Sequence, residues 1–403
     1  MQSISKVLGG ALLVAGTCIG AGMLGLPVST AASGFYPTLG MFLICWSLMT
    51  LTAFLMLEAS LWFKNETNLI SMAHATLGKK GEILAWATYI LFLYALMAAY
   101  TAGGGGIAGD VLSQFGITKE MSTVLYVIFF AALVYCGAHW VDIANRVIMI
   151  GLLGAYFGLV YFVTPHVESS RIDGGEPQYL WFTLPLLVTS FGFHLLIPTL
   201  KSYFNGHVNQ LRLAIFLGSL LPLTVYLAWE WIILGTIPLE GNGGLIWMLH
   251  HGNPAVELPK GLKTIIGNEW ITGFAKSFSF FAILSSFIGV ALGLFDFFAD
   301  GFKIKKSKKG RLLLAVMTFV PPFIFAAIYP KGFLLALNYA GVFAAILLVI
   351  FPGILVWHGR YRSKIAHGYQ VRGGKLSPII ALIFGAIVIV MQLLMQFNVL
   401  PMP

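Results

Sequence analysis

Eleven apolar stretches, each long enough to cross a bilayer as a helix, follow one another along this 403-residue chain. That repetition limits the fold more than any single motif does. In hydrocarbon every backbone N–H and C=O must be satisfied internally, so only helices and closed barrels span a membrane. About 20 apolar residues cover the hydrocarbon core as a helix, whereas a barrel strand needs only about 10. The stretches run approximately over 7–34, 37–63, 82–110, 120–139, 143–164, 178–204, 209–236, 270–300, 311–329, 333–356 and 376–399. They predict an all-α polytopic membrane protein with 11 transmembrane helices. Only 10% of the residues are charged, against about 25% in soluble domains, which fits a surface that faces lipid.

The formal net charge of +9 would suggest nucleic acid in a soluble protein. Here the basic residues lie in short segments between apolar stretches, where they set topology. Nucleic acid is therefore not an expected partner; the lipid bilayer is. With the N-terminus inside, 18 Lys and Arg, from Lys6 through Lys64 and the run Lys303–Arg311 to Lys375, fall on the inner side, and five fall outside. This predicts a cytoplasmic N-terminus and a periplasmic C-terminus in a bacterial inner membrane. The first stretch is too long for a signal-peptide core and has no small-x-small exit, so it is expected to remain as a span. Cys18, Cys45 and Cys136 all lie in apolar stretches and imply no disulfide framework. His250-His251 has no Cys or acidic spacing for a metal and is read as surface. No metal site or cofactor is expected.

Two stretches are interrupted alike. Span 1 reads Gly16-Thr17-Cys18-Ile19-Gly20-Ala21-Gly22-Met23-Leu24-Gly25-Leu26-Pro27, and span 6 reads Thr189-Ser190-Phe191-Gly192-Phe193-His194-Leu195-Leu196-Ile197-Pro198. Gly weakens a helix, and Pro removes a donor and crowds the carbonyl one turn earlier. The Gly and Pro could serve only as kinks that ease packing. Matched breaks five spans apart, however, cross in opposite directions, which is the pattern of an inverted repeat built around two discontinuous helices. The expected division is 1–164 as the first five-helix repeat, 165–177 as an outer loop, 178–356 as the second repeat, and 357–403 as a loop and an additional helix 11. In such a repeat, half-helix N-termini face anionic groups and loose carbonyls face cations. An amino acid offers both charges.

Other function classes fit less well. No GxxxxGK[ST] is present, so ATP does not drive a cycle from this chain. A channel would show a repeated pore segment. A membrane enzyme would cluster His, Asp or Cys, and here these residues are scattered.

The string Gly16–Pro27 resembles the opening motif of the hydroxy/aromatic amino acid permeases, which belong to the amino acid–polyamine–organocation superfamily and share the LeuT-like fold. Ser71-Met72-Ala73 with Leu77-Gly78-Lys79 resembles the family's loop after span 2. Tyr100–Gly105 resembles its glycine-rich span 3, and Phe287–Asp296 its span 8. The chain looks most like the tyrosine-specific permeases, with the tryptophan permeases next. The resemblance implies import of an aromatic amino acid by proton symport and alternating access, with spans 1, 2, 6 and 7 rocking against spans 3, 4, 8 and 9.

For such a substrate, backbone N–H groups near Gly20, Ala21 and Gly22 are expected to meet the carboxylate, and carbonyls between Ser190 and Gly192 the ammonium. Phe191 and Phe193 would line the side-chain pocket; Thr17, Met23, His194 and Tyr100 complete the substrate-binding candidates. His194 could instead be a packing histidine, or titrate with the coupling proton. Gly103–Gly106 could be a packing groove or a face that substrate approaches. Ser285 and Ser286 resemble the paired hydroxyls that hold a cation in sodium-coupled relatives, which keeps sodium open as the alternative ion. Glu230 and Lys276 could pair within the membrane or snorkel to the interface, and both are coupling-ion candidates.

Overall fold

In the computed structural model, which describes residues 2–63, 68–397 and 399–400, each apolar stretch is helical, and there is no strand among the described residues. Lys64, one of the basic residues expected on the inner side, lies outside them. Span 1 consists of Gln2–Cys18 and Gly22–Thr30, bent by 59°. Span 2 is Phe35–Leu61, span 4 Lys119–Cys136, span 5 Ala138–Val163, span 7 Val208–Thr236, span 8 Glu269–Gly301, span 9 Lys308–Ile328 and span 11 Leu376–Gln396. Span 6 is broken between Leu184–Ser190 and Ile197–Tyr203. Span 10 runs from Phe333 to Tyr361 with a π-helical segment at Ala345–Ile350.

Two regions expected as loops are helical instead. The helix of span 3, Leu69–Leu112, starts well before residue 82 because the Asn68 side chain caps it, accepting from Ser71 N–H at 2.9 Å. Gly78, at φ 73°, kinks it. Ser71-Met72-Ala73 is thus a helical turn beside the membrane span, not a loop. The long segment 237–269, expected as an outer loop, contains helices Leu245–His251 and Pro254–Ile266, the second capped by Asn253. His251 is exposed and stacked on Trp247.

Small residues let these helices approach closely, as lipid-embedded packing demands. Span 5 lies along span 8, and the first half of span 1 lies along span 7. Gly151 and Gly158 seat the rings of Phe281 and Phe274; a Cβ there would stand 2.5 and 2.6 Å from them. The run Gly103–Gly106 is a packing stripe of the same kind, facing Ile283 and Phe333, Tyr126, Thr123 and Asn253 in turn.

The end of the bundle that carries the Lys303–Lys309 run is fastened by an ion pair removed from solvent. Arg360 of span 10 donates to Glu58 of span 2 from Nε at 2.6 Å and from an Nη at 2.5 Å, and the two side chains are 4% and 0% exposed. Val371 N–H also donates to Glu58 (2.7 Å), and Arg360 donates to the carbonyls of Val371 and Gly374. The segment after span 10 is thereby held beneath span 2. Lys201, at the end of span 6, donates to the carbonyls of Ser60 and Phe63.

The packing argument is tested at Gly104, where a Cβ would lie 2.2 Å from the Tyr126 ring, and at Gly289, which has nothing within 4 Å. Gly104→Ala should lower stability by about 1–3 kcal/mol through overpacking, whereas Gly289→Ala should be neutral in thermal unfolding of detergent-solubilised protein. Equal melting temperatures for the two variants would contradict it.

Candidate functional site

Both helix breaks release backbone groups in the middle of the bundle, and the partners of those groups define the site. An α-helical carbonyl normally receives the N–H four residues on. Cys18 and Ser190 each close a half-helix, so the chain turns away before that donor is in place. Pro27 carries no N–H, which leaves the Met23 carbonyl free inside the second half of span 1. Pro198, by contrast, stands in the first turn of Ile197–Tyr203, where a missing N–H is harmless, so it restarts span 6.

One face of span 7 serves these groups. The Tyr226 hydroxyl lies 2.6 Å from Cys18 O and 2.9 Å from Ser190 O. Trp229 Nε1–H donates to Met23 O at 2.9 Å. Glu230 Oε2 accepts from the Thr30 hydroxyl at 2.7 Å. The spacing i, i+3, i+4 places the three side chains together, and all are fully buried or nearly so. Glu230 has no cation partner among its described bonds, and its Oε1 has no hydrogen-bond partner among the described residues.

Across the break from this face, Ala21 N–H, at the start of the second half of span 1, donates to Ser286 Oγ of span 8 at 2.9 Å. Gly20 is required there, because a Cβ would come within 2.2 Å of that oxygen. Tyr100 of span 3 also lies close to Ser286. The two breaks touch at Gly22, whose Cβ would stand 3.2 Å from Ser190 Oγ. Phe191 packs edge-on against Phe42 and Tyr226, with ring centroids 6.3 and 5.4 Å apart. Gly20, Ala21, Gly22, Met23, Ser190, Phe191, Tyr226 and Ser286 thus meet in one region. The N–H freed at Ala21, the carbonyls freed at Cys18 and Ser190, and the rings of Phe191 and Phe42 all belong to it.

Several candidates lie elsewhere. Thr17 is exposed and bonds its own helix at Leu13 O (2.8 Å), so it does not join the site. Ser285 donates to Ala282 O at 3.1 Å within span 8, so the two serines do not converge on span 1. His194 is buried with Nε2 2.8 Å from the Thr52 hydroxyl, tied to span 2 beside the Phe193 ring. Gly192 abuts Thr189 O at the turn of the second break.

Of the two readings open for Glu230 and Lys276, their pairing with one another is not what the structure shows. Glu230 faces span 1, whereas Lys276 faces span 3 and lies 3.8 Å from Asp110, beside Lys260. Asp110 and Lys260 border a cavity of about 330 Å³ whose lining also includes Gly105, Gly106 and Asn253.

Sequence reading missed Tyr226 and Trp229. The signal available was Pro27: a proline inside a buried helix frees the carbonyl four residues earlier and requires a donor from outside.

The chain matches the model of the tryptophan/tyrosine permease family over residues 3–392. It is 36% identical to the tyrosine-specific transport system 1 of Haemophilus influenzae, covering 99% of both chains. It is 31% identical to that organism's tyrosine-specific transport system 2 (98% of both) and 32% identical to a low affinity tryptophan permease of Escherichia coli (97% and 96%). Among solved structures, a manganese transporter of Eremococcus coleocola has a TM-score of 0.63 at 17% identity, covering 98% of this chain and 88% of its own. That likeness concerns the fold alone.

The Met23–Trp229 bond makes a reciprocal prediction. Trp229→Phe leaves a buried carbonyl unpaired and should lower stability by about 1–3 kcal/mol. Adding Pro27→Ala returns a backbone donor to Met23 and should recover part of that loss. Additive losses in thermal unfolding of the double variant would contradict the bond's role.

Proposed function

We propose, from the premise that this chain belongs to the tryptophan/tyrosine permease family, that it imports tyrosine by proton symport across a bacterial inner membrane. The observation that carries the substrate reading is the pair of opposed backbone poles at the two breaks. Ala21 N–H, at the start of a half-helix, suits a carboxylate. The carbonyls of Cys18 and Ser190 suit an ammonium. Phe191 and Phe42 supply edges against which an aromatic ring packs. Two tyrosine-specific relatives favour tyrosine over tryptophan.

Proton coupling rests on Glu230. A carboxyl buried in a span and bonded to a hydroxyl rather than a cation is suited to take up and release a proton during a transport cycle. The sodium reading has less support, because Ser285 and Ser286 are turned to different partners. His194, held by Thr52, fits a positioning role between spans 2 and 6. Residues 1–164 and 178–356 act as the inverted repeats. Spans 1, 2, 6 and 7 rock as a unit, with the N-terminus cytoplasmic.

Uptake of labelled tyrosine into proteoliposomes tests this reading. An inward proton gradient should stimulate uptake several-fold. Phenylalanine and tryptophan should compete, whereas serine and leucine should not. Glu230→Gln keeps a side chain able to bond Thr30 but cannot carry the proton, so stimulation by the gradient should disappear. Uptake driven by sodium and indifferent to pH, or competition by leucine as strong as by phenylalanine, would contradict it.

A further inference from the structure

We propose that the hydroxyls of Tyr226 and Ser286 are tethered stand-ins for the substrate's own ammonium and carboxylate, and that an amino acid enters the site by exchanging with both. The inference rests on the reading of the helix breaks as the substrate site.

The backbone partners are of the two kinds a zwitterion seeks, a donor for its carboxylate and acceptors for its ammonium. Tyr226 Oη lies within hydrogen-bond distance of one carbonyl from each broken helix, Cys18 O at 2.6 Å and Ser190 O at 2.9 Å. Ser286 Oγ receives Ala21 N–H at 2.9 Å. The two hydroxyls come from different helices, spans 7 and 8, and each reaches a pole of the sign opposite to the substrate group it replaces. No other side chain bonds these three backbone groups among the described contacts.

Counting protons explains why the arrangement can be displaced. A phenol has one O–H proton, and two carbonyls face it, so it cannot satisfy both fully. An ammonium has three protons and a charge, so it satisfies both with charge-assisted bonds. Ser286 offers Ala21 N–H a neutral acceptor, and a carboxylate offers a charged one at a half-helix N-terminus, where negative charge is favoured. Each exchange improves the bonding of the backbone. After the exchange Ser286 keeps Tyr100 as a neighbour, and the Tyr226 ring keeps the rings of Phe42 and Phe191.

A symporter must also return through the membrane without cargo, and freed backbone groups are expensive in a dry interior. The stand-ins serve that step. Their loss should raise the free energy of the empty carrier and leave the loaded carrier nearly untouched. Two consequences follow. Substrate should bind more tightly to the variant, since the empty state from which binding is measured is the one destabilised. Net uptake, which needs the empty carrier to return, should suffer far more than exchange, which does not.

The experiment compares wild type, Tyr226→Phe and Ser286→Ala in proteoliposomes. It measures net tyrosine uptake, tyrosine–tyrosine exchange, and the Kd of tyrosine for purified protein. For each variant we expect Kd to fall about three- to tenfold, the range one ordinary hydrogen bond supplies. Net uptake should fall about tenfold or more, with exchange remaining within about threefold of wild type. Tyramine, which lacks the carboxylate, and a phenylpropionate, which lacks the ammonium, should not compete, because each can displace only one stand-in. An unchanged or weakened Kd, or a proportional loss of net uptake and exchange, overturns the proposal. If Tyr226→Phe does not fold, Ser286→Ala decides it alone. Failure of wild type to exchange tyrosine would instead defeat the substrate reading, so the two failures are told apart by the wild-type arm.

Discussion

A polypeptide can be broken inside a membrane only if something else bonds the backbone groups that the break sets free. In this protein that requirement falls on a few side chains. Tyr226 takes the carbonyls that end the first halves of spans 1 and 6, Trp229 takes the one that Pro27 frees, and Ser286 takes the first N–H of the second half of span 1. These bonds tie both discontinuous helices to spans 7 and 8. The geometry of the site depends on them, because the same freed groups are the ones a zwitterion would seek. On the proposed reading, structural need and recognition coincide at Cys18, Ala21 and Ser190.

The ends of the bundle are held by different chemistry. Glu58 and Arg360 form a buried pair, with the backbone of Val371 and Gly374 completing their bonds. Removing one partner of such a pair leaves an uncompensated buried charge and typically costs about 3–5 kcal/mol. The pair joins span 2, assigned to the rocking group in the proposed cycle, to span 10 outside it. On that reading it is a contact that alternating access must break or carry along. Span 11, next to span 10, packs against its π-helical segment.

Much of the architecture was legible from the chain. Length and hydropathy located every span because lipid leaves a helix few alternatives. The broken helices were legible because Gly20, Gly22, Gly192, Pro27 and Pro198 act locally. What was not legible depended on which way a helix face turns. Glu230 and Lys276 look like partners when spans 7 and 8 are laid side by side, yet one faces Thr30 and the other Asp110. Thr17 sits inside the motif but on the outward side of its helix. Ser285 and Ser286 are adjacent, and so necessarily point about 100° apart, which sends only Ser286 to span 1. Tyr226 was invisible because nothing near it in sequence marks it; its importance arises from breaks about 36 and 208 residues away.

The central claim is that the freed backbone poles of the two breaks are the substrate site. Its most direct test is a structure of the protein with L-tyrosine bound. The account predicts the α-carboxylate on Ala21 N–H and the ammonium on Ser190 O and Cys18 O, each within about 3 Å, with Tyr226 turned aside and the phenol ring near Phe191. Tyrosine bound in the cavity beside Asp110 and Asn253, with the Tyr226 and Ser286 bonds intact, would contradict it.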